Sequence, residues 1–150
     1  MRRRSRVMRT DRITTAWMLA ALGAAVITLF AASSVPQPLW TLVHLITLGV
    51  LSNAVFQWSW YFVRALAHLG PEDPRAGRRN TWRIIAFNTA FLILIASMWN
   101  SWLLGTHVGA TLIGVIGAWH GYDLVRAAES KLASRFIVVL RFYQCSACFL

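Results

Sequence analysis

The stretch VHLITLGVLSNAVFQWSWYF, residues 43–62, contains no charged residue, yet it carries a histidine and two side-chain amides among apolar and aromatic residues. It belongs to a longer run, residues 13–63, without Asp, Glu, Lys or Arg, and a second such run covers residues 84–122. A helix needs about 20 mainly apolar residues to cross the hydrocarbon core of a bilayer. Each run is long enough for two spans joined by a turn, which predicts an integral membrane protein in contact with the lipid bilayer.

The distribution of charge supports a membrane protein and argues against a nucleic-acid partner. The net charge is +10, but six of the fifteen basic residues precede the first apolar run and most of the others flank later runs. Basic residues in short flanking segments orient membrane proteins, with the basic side in the cytoplasm. The first apolar stretch, residues 13–32, is longer than the apolar region of a signal peptide, which favours an uncleaved first span.

The predicted fold class is all-α, a polytopic transmembrane helical bundle with four full spans plus an incomplete fifth. The predicted spans are residues 13–33, 39–66, 84–104 and 106–125. Pro36 and Pro38 mark the first turn, and Gly105 with Thr106 is expected to form the turn between spans 3 and 4. The predicted organisation is a basic cytoplasmic N-terminus (1–12), a four-helix membrane domain (13–125) and a cytoplasmic loop (126–135), followed by the start of a fifth span (136–150).

The last fifteen residues, FIVVLRFYQCSACFL, begin like a span but are too short for a full crossing and contain Arg141. We expect the chain to be truncated within a helix and to form part of a longer protein. Cys145 and Cys148 have the spacing of a redox or metal pair, but no second pair accompanies them, so we assign them no function.

The basic residues also predict an orientation. With the N-terminus in the cytoplasm of a multi-pass cell-membrane protein, the inside segments hold fourteen of the fifteen Lys and Arg residues, and the two outer turns hold none. Arg83 is counted here with the loop that precedes span 3. Asp123, at the inner end of span 4, is expected to be solvated or paired with Arg126.

Polar residues of span 2 fall on two sides of the helix at 100° per residue. Asn53, Gln57 and Arg64 form one stripe, and His44 points the opposite way. The amides favour either hydrogen bonds between helices or a role in ligand binding or a proton path. Asn88 and Asn100 of span 3 are the expected partners for bonds between helices.

Span 4 carries a narrow face of small residues with His107 at its outer end. The face consists of Ala110, Gly114, Gly117, Ala118 and Gly121. Such a face allows the close approach of another helix, or it leaves room for a flat cofactor.

His44 and His107 are the candidate cofactor-binding and metal-ligating residues, because both lie near the outer ends of their spans. Histidine within a span indicates a functional site by default. Haem held by these two histidines is one hypothesis. Structural hydrogen bonding, a copper site and a proton-carrying role are the alternatives. No catalytic constellation of nucleophile, paired carboxylates or phosphate loop is present.

Residues 42–67, LVHLITLGVLSNAVFQWSWYFVRALA, resemble the membrane-embedded N-terminal region of actinobacterial multicopper oxidases and copper-containing nitrite reductases. The shared pattern is H-x-x-x-L-G-x-x-x-N-A-x-x-x-W-S-x-x-F. It falls here on His44, Leu48, Gly49, Asn53, Ala54, Trp58, Ser59 and Phe62. The region is similar, more distantly, to haem- and copper-containing membrane proteins of the nitric-oxide response.

The resemblance implies that further spans and an extracytoplasmic cupredoxin portion with copper ligands follow in the intact protein. This chain ends at Leu150 without a cupredoxin ligand set, so oxidoreductase activity and copper would require that missing domain. The expected function is the membrane anchor or redox region of a copper-dependent oxidase or nitrite reductase, with haem between spans 2 and 4. A redox partner or additional membrane helices would be its partners. The alternative is a non-catalytic membrane scaffold.

Overall fold

The computed structural model describes residues 4–66 and 78–129, which form an all-α helical bundle. Helix α1 covers Arg4–Phe30, α2 covers Pro38–His44, α3 covers Asn53–Leu66, α4 covers Arg78–Trp99 and α5 covers Leu103–Glu129. A π-helical segment, Leu45–Ser52, joins α2 to α3, so these three elements make one continuous span. The predicted fifth span, with Arg141 and the two cysteines, lies outside the described residues.

Four helices are long and apolar enough to cross a membrane, which confirms the predicted fold class over the described residues. They are Asp11–Phe30, Pro38–Val63, Arg79–Trp99 and Leu103–Ala127. Because consecutive spans alternate in direction, the start of α1, the end of α3, the start of α4 and the end of α5 share one end of the bundle. We call this the arginine end and the other the turn end.

The interior is a layer of apolar side chains contributed by all four spans. Span 2 contacts α1, α4 and α5, and α4 packs along α5. Phe56 and Phe87 meet edge to face with ring centroids 4.7 Å apart. The wider cluster contains Leu45, Leu48, Phe91, Leu94, Ile113 and Ile116.

The turn between α4 and α5 lies at residues 100–102, so the predicted turn at Gly105 and Thr106 is wrong. Ser101 adopts a left-handed conformation (φ 52°), and the amide of Trp102 donates to the carbonyl of Ser97 at 2.8 Å. Together with the bond from the Ser101 amide to the Met98 carbonyl, this is a Schellman end. Glycine is the usual residue at this left-handed position, but here the residue is Ser101. Gly105 lies inside α5, where a Cβ atom would collide with Ser97 and Trp102.

Two glycines permit close contacts between spans. A Cβ atom built on Gly49 would lie 2.6 Å from Cβ of Ala21 in α1, and one on Gly109 would lie 3.0 Å from the backbone of Leu94 in α4. The predicted small-residue face of span 4 behaves differently, since a Cβ atom on Gly114, Gly117 or Gly121 would meet nothing within 4 Å. Packing of another described helix therefore does not explain that face.

Candidate functional site

The π-helical segment changes the geometry that the sequence predicted for span 2. Its wider turns rotate less per residue than an α-helix, because the bonds run to the fifth residue rather than the fourth. The placement of His44 opposite Asn53 assumed regular α-helix between them, and the π-helical segment does not meet that assumption. Side chains satisfy part of this backbone: Ser52 Oγ donates to the carbonyl of Thr47 at 2.9 Å.

Asn53 and Asn88 form a reciprocal amide pair between span 2 and α4. Asn53 Nδ2 donates to Asn88 Oδ1 at 3.0 Å, and Asn88 Nδ2 donates to Asn53 Oδ1 at 2.9 Å. Each Nδ2 also donates to a carbonyl one turn earlier in its own helix, that of Gly49 or Ile84, at 2.9 Å. Both side chains are buried and both donor hydrogens of each amide are used, so the pair joins the two helices.

The side-chain amides of Gln57 and Asn100 do not join helices among the described residues. Gln57 is half-buried at the edge of the α3 interface. Asn100 is exposed and donates to the carbonyl of Ala96 in its own helix at 2.7 Å. Of the two partners suggested for Asn53, the structure brings Asn88 to it and leaves Asn100 at the turn end.

His44 and His107 differ in burial and in the helices that surround them. His44 is half-buried, its ring stacks on Trp40 with centroids 3.8 Å apart, and Nδ1 lies 2.8 Å from the Trp40 carbonyl. A carbonyl only accepts, so Nδ1 carries the proton and Nε2 carries the lone pair of the neutral ring. His107 is exposed on α5, whose neighbours are α4 and α3. The structure does not join the two histidines into one site.

A buried ion pair links α4 to α5 near the arginine end. Arg83 Nη1 donates to Asp123 Oδ2 at 3.1 Å, and Arg83 Nη2 donates to Asn80 Oδ1 at 2.9 Å. The Arg83 side chain is 1% exposed and that of Asp123 is 3% exposed. Arg79, 47% exposed, lies 3.4 Å from the other carboxylate oxygen. Two guanidinium groups therefore share one carboxylate.

This arrangement corrects the expectation for Asp123, which is neither solvated nor paired with Arg126. Arg126 Nε instead donates to the hydroxyl of Tyr122 at 2.9 Å. Arg83 was assigned to a loop because the apolar run was taken to begin at the next residue. In the structure α4 begins at Arg78, so Arg83 is already within the helix and turns inward.

His120 occupies the interior next to the ion pair, one helical turn from Asp123. Its Nε2 lies 2.8 Å from Ser59 Oγ of α3, in a hydrogen bond whose direction depends on the imidazole tautomer. Its ring packs on Phe56 with centroids 4.4 Å apart. The sequence did not identify the partner of His120. The signal that could have found this cluster is Asp123, an acidic residue within predicted span 4, because an intramembrane carboxylate requires a partner.

The turn end contains an apolar cavity of about 460 Å³ between α1, span 2 and α4. Its lining includes Ile27, Leu45, Phe91, Ile95 and Trp99, and neither His44 nor His107 is part of it. The indole Nε1 of Trp99 donates to Thr41 Oγ1 at 2.9 Å. Over residues 4–66 and 78–129, no group of three or more His, Cys, Asp or Glu side chains could hold a metal ion.

Comparisons with protein-family models, with curated proteins and with solved structures found no match. The fold and the site fit a class, a multi-pass helical membrane protein whose spans are joined by buried polar groups.

Proposed function

We propose that the chain is a membrane-embedded anchoring domain whose polar residues hold its spans in one arrangement. The observation that carries the proposal is the position of the residues that make up the oxidase-like pattern of span 2. Leu48, Gly49, Asn53 and Ser59 are buried where span 2 meets the other helices, whereas Trp58 and Phe62 are exposed.

Three positions of that pattern illustrate this. Gly49 allows span 2 to approach Ala21 of α1. Asn53 pairs with Asn88 of α4, and Ser59 bonds His120 of α5. These three residues therefore have a packing role, which accounts for them without a catalytic role.

The resemblance suggests what such a domain would anchor. A copper-dependent oxidase or nitrite reductase portion, in the same polypeptide or in a partner subunit, would be held at the membrane surface. Isolation of the tagged chain from its native membranes tests this: copper and oxidase or nitrite reductase activity should co-purify with it. Recovery of the folded chain without copper or a copper protein would contradict the proposal that the domain anchors a copper-dependent enzyme.

Haem at His44 is a second candidate, favoured by one observation. A ligating histidine almost always donates its other ring N–H to a carbonyl, a carboxylate or water. The bond from His44 Nδ1 to the Trp40 carbonyl has this form and would leave Nε2 to act as an axial ligand of the haem iron. A bound haem would supply one-electron transfer, and His44 would hold and orient it. His107 is proposed as the second ligand only under a rearrangement or across two copies of the chain.

The visible spectrum of the purified chain separates the two candidates. An anchor without cofactor is colourless and keeps its helical circular dichroism. A Soret band that is lost in His44→Ala but retained in His120→Gln would establish haem at the turn end and contradict an anchor-only role. His107→Ala then reports whether the second ligand comes from α5.

We further propose that the arginine end faces the cytoplasm, which the distribution of basic residues supports. A reporter inserted at residue 36 should be extracytoplasmic, and one at residue 77 cytoplasmic. The reverse result would overturn this orientation.

A further inference from the structure

Three buried nitrogen atoms near the arginine end have no hydrogen-bond partner among the described residues. They are Trp60 Nε1, Arg83 Nε and His120 Nδ1. Their side chains are 3%, 1% and 0% exposed. Almost all buried polar groups in proteins are paired, and an unpaired one within a bilayer costs several kcal/mol. Three such atoms in a small region indicate a missing partner.

The three nitrogens come from three helices that meet around Arg83. The guanidinium carbon of Arg83 lies 5.7 Å from the ring centroid of Trp60 in α3 and 5.6 Å from that of Trp119 in α5. Trp60 follows Ser59 along the chain, and Ser59 bonds His120, the residue after Trp119. Trp60 and Trp119 therefore both lie close to the guanidinium, and their chain neighbours Ser59 and His120 are bonded to each other.

The chemistry of these atoms defines what the partner must be. Arg Nε and Trp Nε1 can only donate, so the partner accepts hydrogen bonds. His120 Nδ1 is also a donor in the tautomer in which Ser59 Oγ donates to Nε2. Around them two arginines share one carboxylate, which leaves an excess positive charge. An acceptor with negative charge meets both requirements.

We propose that Trp60, Arg83 and His120 form a buried binding site for a small monovalent anion such as chloride. Nε of Arg83 and Nε1 of Trp60 donate to the anion, and His120 donates through Nδ1 in the tautomer whose Nε2 accepts from Ser59 Oγ. The site goes beyond the anchoring role, because it makes the arrangement of α3, α4 and α5 dependent on a ligand.

The test is chloride binding to the purified full-length chain in detergent, followed by the linewidth of the ³⁵Cl resonance. Chloride replaces gluconate at constant ionic strength, and gel filtration with circular dichroism verifies the fold. The wild-type chain should show a saturable excess linewidth above the linear contribution of the surface arginines. Trp60→Phe removes one donor and should weaken the saturable component by at least about tenfold.

Trp58→Phe is the matched control, because Trp58 is exposed two residues away on the same helix. It leaves the net charge and the site unchanged, so its saturable component should equal that of the wild type. If Trp60→Phe does not fold, His120→Gln serves instead, since its amide can still meet Ser59 but the Nδ1 donor is gone. A wild-type chain without a saturable component, as expected if water alone fills the site, would overturn the proposal. So would a component that persists in both Trp60→Phe and His120→Gln.

Discussion

The two ends of the bundle fill the space between their helices in different ways. At the arginine end, α4 and α5 enclose Arg83 and Asp123, and His120 reaches Ser59 of α3. At the turn end, α1, span 2 and α4 surround an apolar cavity of about 460 Å³. One end is held by directional contacts between desolvated polar groups, and the other by apolar contacts around a gap.

This difference predicts where the fold is sensitive to substitution. Removal of one partner from a buried ion pair leaves an uncompensated charge in a low-dielectric interior. Apolar side chains around a cavity have already lost contacts on one side, so small changes there forfeit less. The arginine end should therefore determine which helices pair, while the turn end tolerates variation. Substitutions in the neutral amide pair of Asn53 and Asn88 should have effects of intermediate size.

The largest effect is expected for Asp123→Asn at the arginine end. The substitution keeps the shape but removes the negative charge that neutralises Arg83, which is 1% exposed. The free energy of unfolding in detergent micelles should fall by about 3 kcal/mol or more. Arg79→Gln is the control: its side chain is 47% exposed, and solvent screening should limit its effect to about 1 kcal/mol or less. Equal losses in the two variants would show that burial of the charge does not determine the size of the effect.

Gly49→Ala tests the contact between span 2 and α1. The new Cβ would lie 2.6 Å from Cβ of Ala21, and because neither side chain can rotate away, the helices must separate. We expect a loss of about 1 to 3 kcal/mol in the free energy of unfolding. Gly114→Ala provides the comparison, since its Cβ would meet nothing within 4 Å and alanine favours helix. A stable Gly49→Ala protein would show that this approach is not needed.

Asn88→Ala leaves the amide of Asn53 buried without its partner on α4. We expect a loss of about 1 to 2 kcal/mol, measured by the same unfolding assay. Asn100→Ala is the control, because Asn100 is exposed and bonds only within its own helix among the described residues. A loss in Asn100→Ala as large as in Asn88→Ala would contradict the assignment of Asn88 as the interhelical partner.

Much of the bundle could be predicted from the sequence, because the length of a charge-free run is a direct consequence of bilayer thickness. The same rule prevented the prediction of the polar cluster around Arg83 and Asp123. A span defined by the absence of charge excludes Arg83 at its border, although α4 starts five residues earlier. The inward turn of Arg83 follows from Asp123 on another helix, and such a pairing depends on tertiary contacts.

The amide pair and the histidines also show a limit of prediction from sequence: polar residues within spans can be identified, but not which of them meet. The sequence offered a bond between helices as one role for Asn53 and named both Asn88 and Asn100 as partners, since both lie on predicted span 3. The choice depends on depth and on rotation across the π-helical segment, which no residue type in Leu45–Ser52 marks clearly. His44 and His107 are both predicted near the outer ends of their spans, but a similar depth alone cannot bring two side chains together.

The smallest effect is expected for Trp99→Phe at the turn end. The substitution removes the donor to Thr41 Oγ1 and part of the wall of the cavity. Thr41 keeps its own bond to the Pro36 carbonyl at 3.2 Å, so no buried group is left without a partner. The free energy of unfolding should fall by about 0.5 to 1 kcal/mol, the net value of one neutral hydrogen bond. Trp82→Phe, exposed near the arginine end, controls for loss of the indole itself. A loss in Trp99→Phe comparable to that in Asp123→Asn would mean that one neutral bond holds the turn end as firmly as the ion pair holds the arginine end.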